Sequence, residues 1–175
     1  MARSTNNRRI LILLFSVSLF LILYLPSSHA QDPCTSPANE IVAENCLQGN
    51  PSSEWDITGI GDTSIQGFAT DISVDQGGTI EFKIDTPATD YRIDIYRLGY
   101  YGGAGARLVD TIQPSATLPQ AQPACLNDAA TGLYDCGNWA ISASWNVPAN
   151  AVSGLYIAKP VREDGASEGS HIPFI

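Results

Sequence analysis

The chain has 175 residues, with nine Lys and Arg against 18 Asp and Glu and a formal net charge of −9. That length predicts about one domain once any targeting segment is removed. So acidic a surface repels phosphate backbones, which argues against nucleic acid as a partner.

The first 30 residues read as a secretory signal peptide. Arg3, Arg8 and Arg9 supply a positive start, and an apolar run from Ile10 to Leu25 follows, broken only by Ser16 and Ser18. Pro26 ends the run, and Ser28-His29-Ala30 places small residues where a signal peptidase cuts. The run is shorter than the roughly 20 residues a spanning helix needs, so the expected location is extracellular. An uncleaved segment anchoring the chain to a membrane is the alternative. Cleavage after Ala30 leaves six basic residues against 18 acidic ones, a net charge of −12.

Residues 31–53 are rich in Pro, Ser, Asn and Gln and are expected to form an irregular leading segment. Four cysteines in an exported chain point to disulfides. Cys34–Cys46 and Cys125–Cys136 each close a short loop containing turn-forming residues, and each is expected to contribute on the order of 3 kcal/mol by restricting the unfolded chain. None of the spacings resembles the close CxxC pairs of a structural zinc site. Asn50-Pro51-Ser52 fails as a glycosylation acceptor because proline occupies the middle position.

From residue 54 onward the pattern has period two. In IQGFATDISV (65–74), Phe68, Ile72 and Val74 are assigned to one face, and Asp75-Gln76-Gly77-Gly78 is a turn. In TIEFKID (79–85), Ile80, Phe82 and Ile84 point inward. YRIDIYRL (91–98) alternates Ile93 and Ile95 against Arg92, Asp94 and Tyr96. RLVDTI (107–112) is the returning strand. A long Pro- and Asn-containing loop spans 113–137, and AISASWNV (140–147) then sets Ile141, Ala143, Trp145 and Val147 inward. LYIAKPV (155–161) is a strand whose Pro160 predicts an edge position or a bulge. HIPFI begins a last strand that is expected to continue past Ile175. No helical period is visible after residue 30. Seven or eight short strands with turns every 8–12 residues predict an all-β, antiparallel sandwich of immunoglobulin type over residues 54–175.

The chemistry is sparse. His171 is the one histidine left after cleavage, so imidazole-based nucleophilic catalysis has little to work with, and a structural role suits it better. RLGYYGGAGAR (97–107) lacks the third glycine and the following helix of a phosphate-binding loop. Its glycines suit a hairpin tip or bulge. One of Tyr100 and Tyr101 is expected to face inward and one outward, with Arg97 and Arg107 meeting across the hairpin or reaching Asp94 or Asp110. A ligand-binding tip built from Arg97, Tyr100, Tyr101 and Arg107 is the functional alternative to a purely structural turn. Trp145 is assigned to the core, Trp55 to a polar context that can still bury it, and Trp139 to packing on the disulfide. Carboxylates are numerous, but nothing in the sequence sets two of them across a cleft.

Three stretches, NPSSEWDITGIGDTSIQGFATDISVDQGGTIEFKI (50–84), YRIDIYRLGYYGGAGARLV (91–109) and WNVPANAVSGLYIAKPVREDG (145–165), resemble the N-terminal, immunoglobulin-like region of bacterial proteins related to the N,N-dimethylformamidase large (beta) subunit. IYRLGYYGGAGAR carries the most specific part of the match. The resemblance implies that amidohydrolase chemistry and its iron lie in a later segment, so no catalytic or metal residue and no cofactor is assigned to this chain. The expectation is a secreted accessory domain that docks to a downstream domain. The alternatives are a free-standing carbohydrate- or surface-binding module and, last, a small carboxylate-based hydrolase.

Overall fold

A computed structural model of the chain describes residues 32–165 and 169–175. The segment read as a signal peptide lies outside the described residues. Ser36–Ile175 form one compact unit.

That unit opens with two short helices, α1 (Glu40–Asn45) and α2 (Ser52–Trp55), which corrects the expectation of an irregular, helix-free start. Asn39 caps α1, its side-chain oxygen accepting from the Val42 N–H at 2.9 Å, and Glu40 sits in the first turn. Six residues make fewer than two turns, too few to print an apolar period on the sequence.

Among the described residues nine strands follow: β1 (Gln66–Ala69), β2 (Thr79–Asp85), β3 (Tyr91–Leu98), β4 (Ala106–Ile112), β5 (Leu126–Asp128), β6 (Leu133–Asp135), β7 (Ala143–Asn146), β8 (Tyr156–Arg162) and β9 (Ile172–Phe174). They form a three-stranded sheet in the order β1-β2-β7, a four-stranded sheet in the order β4-β3-β8-β9, and a separate β5-β6 hairpin. Every pairing is antiparallel. The chain passes between the two larger sheets at β2–β3, β4–β7 and β7–β8, and the result is the all-β immunoglobulin-like sandwich the alternation predicted. A further mark of that architecture is the Tyr156 hydroxyl at the start of β8, which donates to the Val152 carbonyl four residues upstream at 2.6 Å.

The core between the sheets holds Ile80, Phe82 and Ile84 of β2, Ala143 and Trp145 of β7, Ile93 and Ile95 of β3, Ala158 of β8, and Ile172 and Phe174 of β9. Phe174 joins the layers. Its ring stacks on Tyr156 (centroids 5.6 Å apart) and meets Phe82 and Trp145 edge-on at 5.8 and 5.9 Å.

Two inward assignments and one edge assignment fail for identifiable reasons. Ile72 is exposed because β1 ends at Ala69. From there the chain pairs by backbone alone, the Ile72 carbonyl accepting from Ile175 N–H and the Val74 N–H donating to the Ile175 carbonyl. Ile141 is exposed and Ser142 fully buried, the reverse of the expected alternation. The Ser142 Oγ accepts from the Ile84 N–H at 2.8 Å and donates to the Ile84 carbonyl at 3.2 Å. A side chain thus continues the β2–β7 ladder and shifts the phase. Pro160, read as an edge or bulge residue, lies in β8, a central strand between β3 and β9. It is accommodated because the β8–β9 pairing ends at Ala158↔Ile172 and resumes only at the Val161↔Gly169 bridge.

β3 is buried on both faces. Ile93 and Ile95 face the core, while Tyr96 packs with Ala106 and Ile157 in a second apolar cluster on the outer side of the four-stranded sheet, against Trp55, Leu98 and Leu108. Residues read from the sequence as solvent-facing are therefore covered, and the cover is the segment that carries α1 and α2.

Two outcomes follow for stability. Ile93→Ala should cost about 3 kcal/mol, seen as a lower urea midpoint at unchanged slope. Burial pushes the Tyr91 and Tyr96 hydroxyls up to about 12. Each favours the folded state fully while pH stays below the unfolded tyrosine value of about 10, and that stabilisation is lost as pH rises through the folded value. Stability should decline between about pH 10 and 12, and absorbance at 295 nm should show these phenols ionising together with unfolding.

Candidate functional site

The glycine stretch links β3 to β4, and the two arginines that enclose it are cross-strand partners in the register Arg97↔Arg107. A 3₁₀ turn at Tyr101–Gly103 makes the reversal. Tyr101 has φ +43°, and Gly102, Gly103 and Gly105 have φ of +65°, +96° and +89°, values that glycine reaches without steric cost. Tyr100 is 71% exposed and Tyr101 only 3%. The inward–outward division expected of the two tyrosines is what the turn produces.

The arginines neither stack on one another nor reach Asp94 or Asp110. Asp94 accepts from Arg92 and from the Thr111 hydroxyl, and Asp110 accepts from the Trp145 indole N–H at 2.8 Å. Arg107 instead pairs with Glu44 of α1, its Nη2 2.6 Å and its Nε 2.8 Å from Oε1. The same oxygen accepts from the Tyr101 hydroxyl at 2.9 Å, and that hydroxyl accepts from Arg97 Nη1 at 3.0 Å. Arg97, 3% exposed, also donates to the Val152 and Ser153 carbonyls at 3.2 and 2.7 Å. The result is a chain of charge-assisted bonds, Arg97 to Tyr101 to Glu44 from Arg107. Burial raises the Tyr101 pKa, with the Arg97 contact working against the rise. Burial opposes the Arg107 charge, but Glu44 outweighs it and the guanidinium pKa rises.

Around this chain the leading segment is held at many points. The Asn45 side-chain oxygen accepts from the Tyr100 N–H, and Asn50 forms a bridge to Ala106 while its side chain accepts from Leu108 N–H at 2.8 Å. The Trp55 indole donates to the Ala104 carbonyl at 3.1 Å. Lys159 donates to the Glu54 and Asp56 carbonyls at 2.9 and 3.1 Å. His171 Nε2 donates to the Trp55 carbonyl at 2.6 Å, which makes it the structural histidine its position suggested. Gly105 and Gly154 are required by close approach. A Cβ on Gly105 would meet the Trp55 ring at 2.7 Å, and one on Gly154 would meet the Arg97 guanidinium at 2.9 Å.

Sequence reasoning missed Glu44, Asn45, Asn50 and Lys159. Glu44, Asn45 and Asn50 reach the turn and its flanks from more than 45 residues away, and Lys159 holds the Glu54 and Asp56 carbonyls of the leading segment. Nothing in the sequence near the arginines pointed to these distant partners. Trp139 packs on the Phe68 ring (centroids 5.6 Å apart) and donates its indole N–H to the Pro123 carbonyl. Cys125–Cys136 is bonded with Cα atoms 4.3 Å apart, Cys34 and Cys46 are also disulfide-bonded, and no cysteine is free. Among the described residues no three His, Cys, Asp or Glu side chains are placed to hold a metal. Among the described residues, no helix is long and apolar enough to cross a membrane.

Fold and site together define an immunoglobulin-like β-sandwich whose most distinctive motif is an internal clamp. A family model described as N,N-dimethylformamidase beta subunit-like, C-terminal, matches residues 92–175, from β3 through the glycine turn to β9. Over these residues the chain is similar to that family, consistent with a relation to the N,N-dimethylformamidase large subunit. The relation is the one the sequence suggested, with one difference. The sequence resemblance was to the N-terminal region of such proteins, whereas the matching model is described as C-terminal. No curated protein matches the chain, and no solved structure does.

Arg107→Ala should cost about 3 kcal/mol, because it leaves the Glu44 carboxylate buried without its cation. The double variant Glu44→Leu/Arg107→Met should lose much less, and comparing the two urea midpoints checks this. Gly105→Ala should destabilise by about 1–3 kcal/mol through its backbone conformation and the Trp55 contact, with a matching fall in thermal midpoint.

Proposed function

We propose that the chain is an exported, non-catalytic interaction domain, an accessory β-sandwich of a larger protein related to the N,N-dimethylformamidase large subunit. The observation that carries this reading is the fate of the IYRLGYYGGAGAR residues. Arg97, Tyr101 and Arg107 are all engaged with Glu44 and backbone carbonyls, so the motif holds the domain together rather than presenting reactive groups. Export is supported by the disulfide-bonded cysteines, which persist in oxidising compartments, and by the charge and apolar pattern of the first 30 residues. Docking through loops is the mechanism, and Tyr100 is the residue of the turn available for it.

A glycan- or surface-binding module is the second reading. It is favoured by one feature, the exposed Tyr100 ring on a rigid turn, since aromatic faces stack on sugars and partner chains.

Secreted material from the full gene segment should begin at Gln31, contain no titratable thiol, and leave dimethylformamide unhydrolysed. Hydrolysis by this chain would overturn the non-catalytic reading. Retention on a glycan array that disappears in Tyr100→Ala would replace it with the second.

A further inference from the structure

The β5–β6 hairpin stands apart from the sandwich. All ten residues from Leu126 to Asp135 are exposed, and the hairpin pairs with neither larger sheet. Only its base is fastened. Trp139 and Asn138 donate to the Pro123 and Ala124 carbonyls, and Lys83 Nζ donates to the Gly137 carbonyl at 2.7 Å. A two-stranded hairpin with three residues per strand has no stability of its own in water, and this one adds nothing to the core. Yet a disulfide closes it at the base through Cys125 and Cys136. The cross-link therefore pre-forms an exposed shape, and fixing a shape before contact lowers the entropy lost on binding.

The chemistry of that shape is specific. The register Leu126↔Asp135, Asn127↔Tyr134, Asp128↔Leu133 puts Leu126, Leu133, Asp128 and Asp135 on one face, because directly opposed residues share a face. Tyr134 stands on the other. Leu126, Leu133 and Tyr134 are 57%, 60% and 69% exposed. The two leucines lie diagonally, and a carboxylate lies beside each. Asp128 Oδ1 accepts from the Ala130 N–H, and Asp135 Oδ1 from the Gly137 N–H.

The surrounding charge selects the partner. Each of the six Lys and Arg residues after residue 30 is engaged within the molecule, whereas acidic residues outnumber them threefold. The outward field is negative. A second copy of the chain, an anionic lipid surface and a nucleic acid are all repelled by it.

We propose that the β5–β6 hairpin is a docking finger for a basic protein surface. The partner presents an apolar cleft that receives Leu126 and Leu133, bordered by lysine or arginine side chains that meet Asp128 and Asp135. This deepens the reading of the chain as an interaction domain and rests on it.

The test uses the secreted, oxidised full chain and a random peptide library displayed on phage, with enriched peptides synthesised for titration. Enriched peptides should combine Lys or Arg with large apolar residues. Leu126→Ser/Leu133→Ser should weaken their binding by about tenfold or more, with the thermal midpoint unchanged because neither leucine is in the core. Asp128→Asn/Asp135→Asn should weaken it less and flatten its dependence on salt. Cys125→Ser/Cys136→Ser should weaken it through lost pre-organisation. Equal binding to the leucine variant, enrichment without basic residues, no enrichment, or a dimer in sedimentation that the leucine variant abolishes would each overturn the proposal. Loss of the finger without hydrolytic activity leaves the accessory-domain reading standing. Hydrolytic activity with the finger intact overturns that reading alone.

Discussion

One carboxylate organises the upper half of this domain. Glu44 sits at the end of a helix of six residues that could not persist alone in water, and it is pressed against a sheet face where an unpaired charge would be costly. Arg107 neutralises it, the Tyr101 hydroxyl satisfies the same oxygen, and Arg97 completes the line by holding both Tyr101 and the Val152–Ser153 carbonyls. Three regions distant in sequence, the leading segment, the glycine turn and the loop before β8, are thereby fixed to one another. Because the bonds are short and charge-assisted, and because burial keeps water out, the arrangement is selective for one geometry. The glycines at 105 and 154 are the backbone consequence, since a side chain at either would displace Trp55 or Arg97.

The clamp also explains why β3 carries no exposed face. A sandwich strand usually has one dry side and one wet side, and YRIDIYRL reads that way. Covering the outer side with α1, α2 and Trp55 turns Tyr96 and Arg97 into interior residues, and the polar ones must then find partners inside. They do so through backbone carbonyls of the covering segment and through Thr111, Glu44 and Tyr101. What looks from composition like a ligand-binding tip with two cations is an internal joint, and the exposed Tyr100 is the part of it that faces solvent.

The β5–β6 finger follows the opposite logic. It contributes no buried area and is kept in shape by covalent chemistry instead of packing. Its two diagonal leucines and flanking carboxylates sit on a molecule whose six cations after residue 30 are each engaged within the molecule. The division of labour is physical. The sandwich supplies a stiff, negatively charged body, and the stapled loop supplies an apolar contact that can meet only a surface of complementary charge.

Much of the fold was legible in the residues because period-two alternation is a local property. Ile80, Phe82 and Ile84, Ile93 and Ile95, and Trp145 were placed correctly, as were the glycine reversal and the Cys125–Cys136 staple, since each depends on neighbours within a dozen positions. The similarity of residues 92–175 to the N,N-dimethylformamidase beta subunit-like family was likewise carried by contiguous motifs. Ile72, Ile141 and Ser142 were misplaced because a ladder that ends early, or one continued by a side chain, changes phase without changing composition. Glu44, Asn50 and Lys159 were out of reach for a deeper reason. Their partners lie some 50 to 105 positions away, and only the closed sandwich brings them within 3 Å. Sequence alone determined the two-layer, disulfide-linked, acidic β architecture, because those features arise from local patterning and composition. Tertiary structure alone decided which polar residues became a buried joint and which apolar ones were left outside, because burial is a property of where the chain returns to itself.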